Sequence, residues 1–280
     1  MSSVPPLRVL FLDVFGTTVA QIPPVADELC RAAKEALDSK TSSISGQVRS
    51  KAMQMSCDQW VDLVINWNRS EEEFVHDSKA KHGNVDWKEV DRRRISSLQV
   101  LLANRGLIVL RLKPGTSELS VEEEGSLWNE FQLAHLGRIW HRLPPWPDTC
   151  RGLEMLNTRF TTVGLSNTYQ ELLNSLVDDS NIPFKHVCSS EMFNSYKPNP
   201  KVYLGAAEKL GVKPEDCALV AAHLGDLKGA KACGLYAIYV ERPLEEKDPE
   251  LREEKIPDLH VGEDEGGLVA LAERLGIRSD

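Results

Sequence analysis

The sequence predicts an α/β protein, a doubly wound parallel sheet interrupted by an inserted helical domain, and three observations carry that prediction. A short apolar run, Val9-Leu10-Phe11-Leu12, ends in Asp13 and a turn at Gly16. From Thr149 onward helical and strand patterns alternate. Between these parts lies a long stretch whose apolar residues recur at three and four spacings.

The run from Arg8 to Asp13 leaves no room for polar alternation, which fits a central strand buried on both faces. Gly16 lets the chain turn where a β-carbon would clash. A carboxylate at the C-terminal end of such a strand stands where open α/β sheets bind ligands. Taken alone, Asp13 is as compatible with a helix cap as with catalysis.

Helices are expected over 25–37, 48–67, 71–81 and 87–104, with a further one over 126–142. Pro114-Gly115 breaks the pattern, and 107–125 is the segment with least assignable structure. The stretch Leu143 to Asp148, with three prolines, reads as a stiff connector. Beyond it come helices over 151–158, 170–177, 200–210, 227–233 and 268–275, interleaved with strands over 160–165, 186–189, 218–222 and 236–240. Such alternation implies right-handed βαβ units. The expected division is a core domain of residues 1–19 and 146–280 and a helical domain of 20–145. The charged stretch from Glu245 to Lys255 reads as a solvated loop.

A chain of 280 residues can bury a sizeable core, and its net charge of -9 argues against a nucleic-acid surface. Six cysteines without a C-x-x-C pair disfavour a structural zinc site and a disulfide framework, and read as free thiols in a reducing compartment. The first apolar run is too short for a signal peptide or a membrane span. A cytoplasmic location with no membrane partner is the expectation.

Ser166-Asn167 and Asp226 follow predicted strands and Lys197-Pro198 lies in a loop, so the sheet can bring all three toward the edge that holds Asp13. Singly, each has a plain reading as turn former, surface charge or helix cap. Together, the apolar run with D-x-x-G-T, then Ser166-Asn167, then Tyr196-Lys197-Pro198, then Asp226 resemble the four motifs of the haloacid dehalogenase (HAD) superfamily, in order. The resemblance covers 8–20 and 146–242, and implies a HAD-like Rossmannoid core with a helical cap in the insert.

Phosphatases of that superfamily carry a second acid two residues after the nucleophile, where this chain has Phe15. An alkoxide leaving from a phosphate ester gains from a general acid, whereas a halide departs without a proton. Asp13-Val14-Phe15-Gly16-Thr17 and the segment Lys197 to Tyr203 resemble the L-2-haloacid dehalogenase branch. That resemblance implies an (S)-2-haloacid dehalogenase-like hydrolase, in which Asp13 displaces halide to form an aspartyl ester. It further implies that Lys197 keeps Asp13 ionised, and that Thr17, Ser166 and Asn167 orient nucleophile and substrate carboxylate. Phe15 would line the substrate site, while Tyr203 and Asp226 would support Lys197 and the hydrolytic water. A cap arginine is implied too; Arg49 is the candidate and Arg31 its competitor, each with a plain reading as a solvent-facing charge.

The fourth motif departs from the branch, with Ala221 in place of a serine and His223 in place of an asparagine. His223 is placed in the substrate site either as a base or halide donor or as an ordinary strand-end histidine. The partner implied is a small-molecule substrate, a homodimer is left open, and the branch works with no metal or other cofactor. Two alternatives keep the fold: a magnesium-dependent HAD-type phosphatase, with oxygen ligands from Asp13, Phe15 and Asp226, or a non-dehalogenating HAD-like protein that binds a small carboxylate.

Overall fold

A computed structural model describes residues 5–39, 43–82, 87–116 and 119–278, with the backbone alone described at 75–82, 87, 88 and 91. The chain opens with strand β1 (Val9–Leu12), buried at every position. Five helices follow: α1 (Ile22–Asp38), α2 (Gly46–Gln54), α3 (Cys57–His82), α4 (Trp87–Asn104) and α5 (Glu130–Gly137). Between α4 and α5 lies an antiparallel hairpin of β2 (Val109–Leu112) and β3 (Leu119–Glu122). The remainder alternates: α6 (Thr149–Asn157), β4 (Thr161–Ser166), α7 (Gln170–Asp179), β5 (His186–Ser189), α8 (Pro200–Lys209), β6 (Cys217–Ala221), α9 (Leu224–Ala232), β7 (Tyr236–Val240), β8 (Leu259–Val261) and α10 (Gly267–Arg274).

Two compact units result, one of residues 1–21 with 141–280 and the other of residues 22–140. The first is built on a six-stranded parallel sheet in the order β5-β4-β1-β6-β7-β8. Since β1 pairs with β4 on one side and β6 on the other, the order reverses beside it, and the carboxyl ends of strands at such a reversal are where open α/β sheets bind ligands.

One sheet face presents Val9, Phe11, Val163, Leu165, Leu219 and Ala237 to Val202, Tyr203 and Ala206 of α8 and to Leu227 and Ala230 of α9. The alternate residues Leu10, Leu12, Val220 and Ile238 turn to the opposite face, where α6 and α10 pack against each other and the sheet. Phe11 and its fully buried aliphatic neighbours contribute about 1.5–3 kcal/mol each. Helices on both faces make the sheet doubly wound, as the alternating pattern predicts.

The second unit packs α1 on α3 and α3 on α4, around Trp60, Leu63, Trp67, Leu98 and Trp140. Trp67 meets Trp140 edge-on at 5.3 Å and donates its indole N–H to the Arg94 carbonyl at 2.9 Å. The helix expected over 48–67 is two helices, because Ser56 starts a new one. Its hydroxyl accepts from Gln59 N–H at 3.2 Å while Gln59 Oε1 accepts from Ser56 N–H at 2.9 Å. The expected break before residue 71 is absent, and α3 runs on to His82. The unassignable segment is the β2–β3 hairpin, pinned by Arg111 on Glu122 at 2.7 Å.

Candidate active site

Asp13 lies one residue beyond β1, and its N–H bonds the Val220 carbonyl of β6 at 2.9 Å. The ladder thus fixes the carboxylate at the carboxyl edge of the central strand. Oδ2 accepts the Thr17 hydroxyl at 2.9 Å, and that hydroxyl oxygen accepts the Ala222 N–H at 2.9 Å. Oδ1 accepts the Lys197 ammonium at 2.7 Å. The same ammonium donates to the Leu165 carbonyl at 2.9 Å and to Asp226 Oδ2 at 2.7 Å, so all three of its protons are used.

Asp226 sits in the first turn of α9, where the helix dipole favours a carboxylate. Its Oδ1 accepts the Tyr203 hydroxyl from α8. Burial and the Asp226 carboxylate push the Tyr203 phenol up, so it stays a donor. Asn167 receives Lys197 N–H at 2.7 Å and donates to the Lys197 carbonyl at 3.1 Å, clamping the backbone that carries the ammonium. The Ser166 hydroxyl is buried with no hydrogen-bond partner among the described residues.

Burial alone would push the Asp13 carboxyl up, but the Lys197 ammonium, aided by His223, outweighs it and holds the group well below the usual carboxylate range. Lys197 shows the mirror image: burial acts against its charge, yet Asp13 and Asp226 together hold it above the usual lysine value. The result is a buried nucleophile kept anionic by a buried cation. Asp13, Thr17, Lys197, Tyr203, Asp226 and His223 are thus joined by direct hydrogen bonds, His223 through Nδ1 at 3.0 Å from Asp13 Oδ2.

Phe15 is half-buried in the turn and forms a single bridge with Val19. Ala221 ends β6, fully buried. Arg49 belongs to the second unit, on α2, and donates to the Leu37 carbonyl at 2.7 Å. Arg31, on α1, is exposed and paired with Glu28 and Glu35.

The charged stretch expected to be a solvated loop begins with a buried residue. Glu245 is 1% exposed, because its carboxylate accepts Gln21 N–H and Gln21 Nε2 at 3.1 Å each. Nearby, Arg242 forks onto Asp148 at 2.6 and 2.7 Å and donates Nε–H to the Thr17 carbonyl at 3.0 Å. Trp146 donates its indole N–H to the Gly16 carbonyl at 3.0 Å. One segment after β7 thereby fastens both places where the chain leaves and re-enters this unit. Local pattern reading misses Glu245 because the acids and lysines around it average to a solvated run; the exposed Glu250 and Glu253 fit that description and Glu245 does not.

Two of the oxygen ligands that the magnesium alternative would use, the Asp13 and Asp226 carboxylates, already accept the Lys197 ammonium. Lys197 Nζ occupies the position between the Asp13 and Asp226 carboxylates, and among the described residues no group of three or more His, Cys, Asp or Glu is placed to hold a metal ion. Both carboxylates are thereby committed to the Lys197 ammonium, and no step below runs through a metal ion.

A family model described as haloacid dehalogenase-like hydrolase matches residues 7–234. An (S)-2-haloacid dehalogenase of Pseudomonas sp. (strain CBS-3) is 31% identical over 45% of this chain and 56% of its own length. A glyceraldehyde 3-phosphate phosphatase of Methanopyrus kandleri is 33% identical over 28% of this chain and 34% of its own length. The matched stretch thus spans about half or less of these curated relatives. Among solved structures, an L-2-haloacid dehalogenase superposes over 96% of this chain and 100% of its own, with a TM-score of 0.69 and 27% identity. With the doubly wound sheet and a family match over most of its length, the chain belongs to the haloacid dehalogenase-like hydrolases.

Proposed function

We propose that this hydrolase cleaves the carbon–halogen bond of short (S)-2-haloacids through an aspartyl ester on Asp13. The observation that carries the reading is Asp13 held ionised by Lys197 while the position two residues on is Phe15. An ionised carboxylate is a nucleophile, and a halide needs no proton to leave. The likeness to an L-2-haloacid dehalogenase of known structure supports the same reading.

In this reading Asp13 attacks the α-carbon as halide departs, and water then cleaves the ester at the Asp13 carboxyl carbon. Thr17 fixes the rotamer of the nucleophile through its bonds to Oδ2 and to Ala222 N–H. Lys197 supplies the positive charge, and Asn167, Tyr203 and Asp226 hold it in place. The buried Ser166 hydroxyl is free to bond the substrate carboxylate. Phe15 lines the approach to the nucleophile. The substrate is a small molecule and the reaction uses no cofactor.

The test is halide release across a panel of 2-haloacids, with and without magnesium, run beside an aryl phosphate. Chloride or fluoride release that is abolished in Asp13→Asn and indifferent to magnesium supports the reading. Magnesium-dependent phosphate release without halide release replaces it with the phosphatase alternative suggested by the phosphatase relative.

A further inference from the structure

His223 stands where the dehalogenase branch that the chain resembles has an asparagine. It stands immediately before α9, with Nδ1 3.0 Å from Asp13 Oδ2, and its Nε2 is buried with no hydrogen-bond partner among the described residues. The charged groups around it come from four elements. Asp13 lies beyond β1, Lys197 precedes α8, Asp226 lies in α9, and Glu245 and Glu246 follow β7. A methyl group added at Gly16 would meet Glu245 Oε2 at 2.6 Å and His223 Cε1 at 3.1 Å, so both side chains close on the face that the glycine leaves bare. Glu246 Oε2 accepts the Leu224 N–H at 3.0 Å and holds the backbone beside the imidazole.

Hydrolysis of an aspartyl ester needs a group that takes a proton from water and returns it to the departing alkoxide. Asp226 is poorly free to do so, since Lys197 and Tyr203 already donate to its two oxygens. Ala221 has no hydroxyl to hold the water. The imidazole of His223 is the remaining proton carrier in contact with the Asp13 carboxyl.

Resting on the dehalogenase reading, we propose that His223 is the base that activates water against the aspartyl ester. Before reaction its Nδ1–H donates to the Asp13 carboxylate, an assignment fixed by that neighbour. In the first step an Asp13 oxygen bonds to the α-carbon, and the carbon–halogen electron pair leaves with the halide; no proton moves. Esterification removes the charge that held the proton on Nδ1; that proton leaves to solvent as one from solvent binds Nε2, and the Nδ1 lone pair faces water. The water oxygen then bonds to Cγ as its proton passes to Nδ1. On collapse the ester Cγ–O bond breaks, the proton returns to the hydroxy-acid oxygen, and Asp13, left as the acid, gives its proton to Nδ1 as Nε2 releases one to solvent, which restores the starting tautomer.

The experiment is a rapid quench with (S)-2-chloropropionate, following chloride per site and the mass of the Asp13 peptide in wild type, His223→Gln and His223→Ala. The glutamine variant retains a donor toward Asp13 without a basic nitrogen. Both variants are expected to release about one chloride per site and then turn over roughly 10²-fold or more slowly, with the ester accumulating on Asp13. Slowing of the chloride burst itself without ester, or steady-state turnover like wild type, overturns the proposal. Absence of chloride from wild type overturns the dehalogenase reading instead, and is distinguished by the lack of a burst in every protein.

Discussion

The Lys197 ammonium lies 2.7 Å from Oδ1 of Asp13, and both side chains are removed from solvent. Their charges are mutually dependent: burial opposes each, and each is what keeps the other ionised. Lys197→Met would leave the Asp13 and Asp226 carboxylates without their cation. Removing one member of a buried ion pair costs about 3–5 kcal/mol, so the variant is expected to be clearly less stable in denaturant melts and to lose activity altogether. Lys197→Met with wild-type turnover would show that the ammonium is not needed to ionise the nucleophile.

Thr17 joins the Ala222 N–H to Asp13 Oδ2. Thr17→Val preserves shape but orphans a buried N–H, an expected loss of about 1–3 kcal/mol. It also removes one of the three side-chain bonds that aim the carboxylate, and turnover is expected to fall roughly tenfold to a hundredfold through kcat more than KM. Urea melts and steady-state kinetics on the one variant check both parts.

Gly16 has φ +82°, and the space its β-carbon would take is filled by Glu245 and His223. Gly16→Ala is expected to lose about 1–3 kcal/mol to backbone strain, with the steric clash in addition. Adding Glu245→Ala should relieve only the clash with the Glu245 carboxylate, making the double variant less destabilised than the sum of the two singles. Strict additivity in that cycle would show that the two residues do not touch.

Burial alone would push the Asp148 carboxyl up, but the Arg242 fork outweighs it and holds it below the usual carboxylate range. A carboxyl with a depressed folded-state pKa binds fewer protons folded than unfolded. Its contribution is fully present above the ordinary carboxylate range and is lost as pH falls through the lowered value. Asp148→Asn is therefore expected to melt well below wild type at neutral pH, by about 3 kcal/mol, with the gap closing in acid. Thermal melts of both proteins across acid pH measure it; a gap that does not vary with pH would assign the effect to packing.

Much of this architecture is legible in residue order, because buried parallel strands and amphipathic helices have distinct periods. The pattern predicts β1, β5 and β7 and the start of α7 within a residue or two. Helix ends in the second unit are harder to read, since the boundary at Ser56 depends on a reciprocal bond with Gln59 that apolar spacing does not register. The Leu119 to Glu122 strand carries polar residues on a largely exposed hairpin and so has little pattern to read. At the site, the motif residues are recognisable by order, whereas Glu245 and Arg242 act through tertiary contacts with Gln21 and Asp148 that no local window contains.

Esterification of Asp13 itself is read out by a single turnover in heavy-oxygen water. With protein in excess over (S)-2-chloropropionate, attack of water at Cγ leaves the heavy oxygen in the Asp13 carboxylate and releases an unlabelled hydroxy acid. That is the predicted result. Label found in the hydroxy acid, with an unlabelled Asp13 peptide, would mean that water displaces the halide directly and that no ester forms on Asp13.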